Sequence, residues 1–317
     1  MADSSESKTH FQTLSILAPK LIAFFFMLVI HLFIIVNNAN DWWKGRSVTS
    51  VDHIVTSLGV SRLCAECVST LFLLLNTLLR QSPVSLGILF WVYDFFFYSN
   101  IWLTSLLSIV YCLKISNLRT RLFLYLRRVI LPRTGHFIVS CGNLALVSFV
   151  IVLWMALFEV PKDETYNITL KTQVTGCISV NSVIPFTIGT SIPLIFYFIS
   201  SVLLFASLYL HTVKMKMSSN LSINLETYYS AMKFISVTFI FNATFFAGYV
   251  ICVFYYNFHC EILSWVYIAL DFLPSIHSSY LIYTTAKLRS QITKILQNVI
   301  DVILQKRGAE TRTSSRR

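Results

Sequence analysis

Charge is what this sequence has least of. Asp, Glu, Lys and Arg make up 12% of its 317 residues, about half the share carried by a soluble domain. Acidic side chains are the scarcer kind, 14 against 25 basic ones, for a net charge of +11. Long polar stretches and internal repeats are missing too, which leaves no room for a separate soluble domain. The groups that carry catalysis are also absent as motifs. The seven histidines are scattered and none forms His-x-x-x-His, and no paired-carboxylate motif stands on one helix. Cys64 and Cys67 have no second Cys or His pair to complete a metal site. No catalytic residue, metal ligand or cofactor is predicted, and the chain is expected not to be an enzyme.

What is present is apolar. Hydrophobic residues are 56% of the chain and the mean hydropathy is +0.68. A helix crosses a bilayer with about 20 mostly apolar residues, and seven such runs stand near 14–37, 52–79, 84–113, 135–158, 184–212, 231–256 and 262–286. One soluble core of this size could not bury them all. The second run contains Arg62 and Glu66, and the sixth opens with Lys233. The polar start MADSSESKTH is short, and the first apolar run is long enough to remain as a helix rather than a cleaved leader. The predicted fold is an all-α membrane protein, a seven-helix bundle over 1–289 followed by a basic tail, 290–317. In the tail Ile292, Ile295, Leu296, Val299, Val302 and Ile303 suit a short amphipathic helix lying on the membrane.

Loop charges orient the bundle. With the N-terminus outside, the inner loops and tail collect 19 of the 25 basic residues, whereas the outer segments hold Glu159, Asp163, Glu164 and Glu261. Attraction to anionic lipid accounts for most of this charge, so membrane lipid is an expected partner and nucleic acid is not. Of three Asn-X-Ser/Thr sequons, Asn167 falls in the second outer loop, Asn220 in an inner loop and Asn242 inside the sixth helix. Only Asn167 is therefore expected to carry sugar. Cys64, Cys67, Cys112, Cys141 and Cys252 read as apolar fillers. Cys177 and Cys260 fall in outer loops, and sequence leaves open whether they pair.

Seven helices and a basic inner face suggest a G-protein-coupled receptor, but topology does not decide function. The motifs are more specific. Asp41-Trp42-Trp43-Lys44-Gly45-Arg46 is followed by Ser50-Val51-Asp52 and Leu58-Gly59-Val60-Ser61-Arg62. Below the third helix stand Leu113-Lys114-Ile115-Ser116-Asn117 and Phe123-Leu124-Tyr125-Leu126-Arg127. The fifth helix opens with Pro185-Phe186 and closes with Ser207-Leu208-Tyr209-Leu210-His211 and Met215. The seventh carries Pro274-Ser275-Ile276-His277-Ser278, Leu281-Ile282 and Lys287-Leu288. In this order and at these helix positions the chain resembles the bitter taste (type 2 taste) receptor family across roughly residues 31–289. His31 stands where that family usually has Asn, and Tyr93 and Phe97 where it often has Trp and Asn.

The resemblance implies a multi-pass plasma-membrane receptor, N-terminus extracellular, that binds a small-molecule bitter agonist in an outer cavity. It also implies activation of a heterotrimeric G protein with a gustducin-like or inhibitory-class α-subunit. A vomeronasal-type pheromone receptor is the nearest alternative. A transporter or channel stays open as well, although the repeats and broken helices of transporters are not seen.

Ionisable groups inside a membrane are costly and informative. Arg62 and Glu66 are four residues apart on one helix face and are expected to pair. By resemblance, Arg62 reaches toward His31 and the His277-Ser278 segment as a polar switch; the alternative is a packing device that only orients the second helix. Two adjacent cations are unfavourable, so His31 is expected to be neutral where it faces Arg62. Tyr93, Asp94 and Phe97, with Asp271 on the seventh helix, are the candidate ligand contacts. Aromatics beside an acid suit an apolar or cationic small molecule, and plain helix packing is the competing reading. Tyr111, Lys114, His211 and Lys214 sit where the resemblance implies a G protein docks; contact with anionic lipid would explain the lysines equally well.

Overall fold

The computed structural model describes residues 2–78, 83–116, 120–158, 180–217, 225–259 and 263–314. The described residues form helices and short links. The helices are α1 (Ala2–Trp43), α2 (Ser50–Leu78), α3 (Pro83–Ile115), α4 (Arg121–Ile130), α5 (Thr134–Phe158), α6 (Val180–Met217), α7 (Leu225–His259), α8 (Ser264–Thr284) and α9 (Ala286–Ser314).

Six of them contain spans long and apolar enough to cross a bilayer: Ser15–Trp43, Ser50–Asn76, Ser85–Ile115, Thr134–Ile151, Gly189–Lys214 and Met232–Tyr255. The seventh, α8, has 21 residues, about 31 Å at 1.5 Å per residue, which matches the roughly 30 Å apolar slab. Its hydropathy is diluted by Asp271, Ser275, His277 and Ser278, and the last three are buried inside the bundle. The protein is thus a multi-pass helical membrane bundle. Its helices run past the predicted ends: α1 starts at Ala2 and continues to Trp43, because a helix need not stop where its apolar run does.

Neighbouring helices close a ring, α1 on α2, α2 on α3, α3 on α6, α6 on α7, α7 on α8 and α8 back on α1, with α5 outside against α3 and α6. Helix α3 touches α2, α4, α5 and α6 and forms the central post. One apolar cluster, including Ile34, Ile54, Leu58, Leu106, Val110, Leu204 and Leu281, fills the basic end of the bundle, the half nearer the α1–α2 and α3–α4 links. A second, around Phe97, Tyr249, Cys252 and Leu270, fills the far half. The outer surface is also apolar: Phe25, Val29, Leu32 and Val36 on α1 and Phe198, Val202 and Leu203 on α6 are exposed. Water would penalise such a belt, whereas lipid accepts it. Between α3 and α6 the contact is made by small polar groups. Ser105 donates to the Pro193 carbonyl at 2.7 Å, and Ser200 donates to Ser108, 2.7 Å away, which also meets Ser201 at 3.0 Å. Serines of this kind let backbones approach and satisfy their hydroxyls across helices.

The links at the basic end are built from local chemistry. Helix α1 stops where Gly45 adopts φ +64°, and Arg46 N–H closes back on the Asp41 carbonyl at 3.0 Å. Only a residue without Cβ takes that backbone cheaply. At the start of α2, Thr49 Oγ1 accepts from Asp52 N–H (3.2 Å) while Asp52 Oδ2 accepts from Thr49 N–H (3.0 Å), a reciprocal cap. Segment 121–130, which reads as part of a basic inner loop from its charges, is a helix. Thr120 caps it by accepting from Phe123 N–H, and Phe123 and Ile130 fall on one buried face. The C-terminal helix is longer than the short tail helix expected. Leu288 is buried at its root, and Ile295, Leu296, Ile300, Val302 and Leu304 are exposed.

Candidate functional site

Among the described residues, the polar interior of the bundle has three levels. At the middle level, α1, α2 and α8 are joined by a hydrogen-bonded chain. Arg62 Nη1 donates to Ser278 Oγ at 3.0 Å and to His277 Nδ1 at 3.2 Å, and Ser278 Oγ lies 3.1 Å from His31 Nε2. His31 Nδ1 is 3.0 Å from the Met27 carbonyl, one turn back on its own helix. The directions follow from the groups. A carbonyl only accepts, so His31 Nδ1 carries a hydrogen. An arginine only donates, so His277 Nδ1 is an acceptor. His277, accepting at Nδ1, is neutral; Ser278 accepts from Arg62, and either atom of the Ser278–His31 contact can supply its hydrogen. All four side chains are buried. This level brings together His31, Arg62, His277 and Ser278.

Glu66, the fifth residue of the anticipated network, is elsewhere. It stands one turn from Arg62, yet its Oε1 lies 2.9 Å from Lys20 Nζ on α1. Lys20 also donates to Asp271 Oδ2 on α8 at 2.7 Å. The expected Arg62–Glu66 pair is therefore replaced by a Lys20–Glu66–Asp271 triad, which ties the same three helices at a second level nearer the far end. Lys20 is 4% exposed, Glu66 7% and Asp271 22%. The i,i+4 rule describes what a helix does alone; in the bundle Arg62 turns to α8 and a cation from another helix takes the carboxylate. Sequence motifs do not single out Lys20. A signal is nonetheless present, since a lysine inside an apolar run is rare enough to demand a partner.

Of the remaining ligand candidates, Tyr93 and Asp94 are half-buried on α3, and Asp94 has no hydrogen bond or ion pair with a described residue. Phe97 is 3% exposed and stacks on Tyr249 with centroids 4.3 Å apart, and Tyr93 stacks on Phe97 at 6.3 Å. Phe97 is therefore packed rather than facing an open space. A cavity of about 70 Å³ lies deeper between α2, α3, α6, α7 and α8; its walls include Arg62, Asn100, Tyr197, Asn242 and His277, and none of Tyr93, Asp94, Phe97 or Asp271. The sequon residue Asn242 donates to Tyr197 Oη at 3.2 Å and to the Thr238 carbonyl at 2.9 Å inside the bundle. Asn167, Asn220, Cys177 and Cys260 lie outside the described residues.

The third level is at the basic end. Lys287, at the root of α9, meets Asp41 Oδ2 at 3.0 Å, Asp52 Oδ2 at 3.7 Å and Asn38 Oδ1 at 3.1 Å. Asp41 also pairs with Arg46 at 3.0 Å. The motif residues Asp41 and Asp52 thus fasten the start of α9 to α1 and α2, and Arg46 pairs with the same Asp41. Tyr111 is half-buried and packs edge-on against Phe234 at 5.8 Å; Lys114 and Lys214 are exposed, and His211 is half-buried.

Comparison with known proteins adds a lineage to this geometry. The sequence model of the family described as Taste receptor protein (TAS2R) matches residues 9–300. Taste receptor type 2 member 9 of Macaca mulatta is 35% identical over 194 residues, so that this chain spans 60% of that receptor's length and 58% of its own. Taste receptor type 2 member 16 of Rattus norvegicus is 31% identical over 224 residues, 67% of this chain and 71% of the relative. Taste receptor type 2 member 13 of Pan paniscus is 29% identical over 292 residues, 84% of this chain and 90% of the relative.

Proposed function

The chain belongs to the taste receptor protein (TAS2R) family, and on that premise we propose that it is a plasma-membrane G-protein-coupled receptor for small-molecule bitter tastants. The N-terminus is outside the cell and the basic end faces the cytoplasm. The observation that carries this reading is the His31–Ser278–Arg62–His277 chain across three helices. A ligand-operated receptor needs two bundle arrangements of similar energy, one of which binds agonist better. A fixed cation whose partners are neutral hydroxyl and imidazole groups can exchange them when α8 shifts, at lower cost than breaking an ion pair.

Agonist enters from the far end, beside Tyr93, Asp94 and Asp271, and parts the Phe97–Tyr249 stack. The G protein, of the gustducin-like or inhibitory class, docks around Tyr111, Lys114, His211 and Lys214. The test is calcium mobilisation in cells that also carry a promiscuous α-subunit, challenged with chemically diverse bitter compounds. A saturable response to at least one compound, absent from cells without the receptor, is expected. Silence across the panel from a receptor shown to be at the surface counts against the reading.

Two further outcomes follow from this arrangement. Asp94 has no cationic partner among the described residues, so Asp94→Asn should weaken responses to cationic agonists more than to neutral ones. A lost charge-assisted contact is worth about 1.5–3 kcal/mol, roughly 10- to 150-fold in half-maximal concentration. Equal loss for both ligand types would mark Asp94 as structural. Separately, an Asn167→Gln receptor should lose the gel shift produced by deglycosylation, whereas Asn220→Gln and Asn242→Gln should keep it. Sugar on Asn220 would reverse the orientation.

A further inference from the structure

Arg62 stands near the middle of α2, 7% exposed, with no carboxylate in contact among the described residues. The acid nearest to it in sequence, Glu66, is held by Lys20. Its hydrogen bonds among the described residues go to two neutral side chains, Ser278 and His277. A buried guanidinium cannot shed its charge as lysine or histidine can, and a buried ion without an opposite charge is strongly disfavoured. Hydroxyl and imidazole groups solvate the charge but do not neutralise it.

Beside Arg62 is the cavity between α2, α3, α6, α7 and α8, about 70 Å³, several times the roughly 10–15 Å³ that one water-sized sphere requires. Its wall includes a second donor that has no hydrogen-bond partner among the described residues. Because His277 Nδ1 accepts from Arg62, the ring hydrogen of the neutral imidazole is on Nε2, and that atom is buried with no hydrogen-bond partner among the described residues, while His277 is 3% exposed. Asn100 also lines the cavity; its Oδ1, an acceptor, is buried without a hydrogen-bond partner among the described residues, and turning the amide over presents its two N–H donors to the same space. No carboxylate is among the wall residues. An uncompensated cation, an orphan N–H and an acid-free wall describe a site for a small monovalent anion. Water would satisfy the imidazole and leave the charge standing.

We propose that this cavity binds one chloride ion as the counter-ion of Arg62, held by the guanidinium, by Nε2–H of His277 and by the Asn100 amide. The site lies one level inward from the proposed agonist contacts and is independent of them. Bound chloride stabilises the arrangement in which Arg62 engages Ser278 and His277.

The test uses the purified full-length receptor in lipid nanodiscs at constant ionic strength, with gluconate replaced by chloride. A ligand that binds the folded state alone raises the melting temperature with its own concentration. Chloride should raise Tm by several degrees and saturate; bromide, close in size, should act in its place, and sulfate should not. Asn100→Asp places a carboxylate in the wall that Arg62 also lines, so this variant should melt higher than the parent in gluconate and lose the chloride increment. His277→Leu, a second variant in case the first does not fold, has no side-chain N–H and should shift the chloride midpoint upward by about tenfold through the lost donor. Equal melting of the parent in chloride and gluconate would show a cavity holding water only and overturn the proposal. So would a chloride increment that persists unchanged in every variant that folds, since the ion would then act elsewhere. Melting does not depend on any tastant, so this result is separate from the success or failure of the receptor assay.

Discussion

Replacing Lys20 by methionine should reduce the amount of receptor at the cell surface by roughly tenfold and lower its melting temperature more than Arg62→Ala or Asp94→Asn does. The ammonium is 4% exposed and is the cation between Glu66 and Asp271. Methionine keeps the volume and removes the charge, leaving two carboxylates close together in a lipid-surrounded bundle. Breaking a buried ion pair by deleting one partner costs about 3–5 kcal/mol, and losses of about 1–2 kcal/mol already change cellular abundance several-fold. The triple change Lys20→Met, Glu66→Gln and Asp271→Asn removes all three charges and should recover most of the loss, because neutral replacement of a whole buried network is often tolerated. The measurements are surface labelling in cells and Tm of purified receptor. Parental surface density and Tm for Lys20→Met would show that the triad contributes nothing to folding.

Arg62→Ala should leave a receptor whose signalling per surface molecule falls by about tenfold or more. The substitution removes the donor that holds Ser278 and His277 in register with α2. Ser278→Ala alone breaks the same chain at its next link, between Arg62 and His31. Groups in one network couple by about 0.5–3 kcal/mol, so the double variant should be little worse than Arg62→Ala alone. Arg62→Lys keeps the charge but presents no planar fork, and should fall between parent and alanine. The readout is agonist-stimulated nucleotide exchange at matched surface density. If Arg62→Ala lowers only yield and the remaining receptors signal normally, Arg62 is a packing residue and the switch reading fails.

Both results depend on side chains that sequence exposes unequally. Arg62 is conspicuous, as a permanent charge in an apolar run that also fits a family motif. Its partners on α1 and α8 are anticipated through that motif and not through any local rule. The one local rule available, helical i,i+4 spacing, points to Glu66, and the bundle overrides it. Lys20 poses the same problem of a buried charge but is harder to see: a single lysine does little to the average hydropathy of the first run. Helix α4 is hidden for a different reason. A short amphipathic helix rich in arginine resembles a basic loop when read for charge alone.

The sequence by itself determined that this is a membrane bundle, which links carry the positive charge and which family motifs it shows. Those are one-dimensional properties: chain length, local hydropathy and short spacings set the cost of each segment in water or lipid before any helix meets another. Tertiary structure alone decided which buried charges face each other. It gave Glu66 and Asp271 to Lys20, gave Ser278 and His277 to Arg62, stacked Phe97 on Tyr249 and left a cavity beside an arginine with no carboxylate partner among the described residues. Those outcomes depend on the rotation and depth of one helix against its neighbours. That packing is set by all the contacts of the ring together, so no window of sequence contains it.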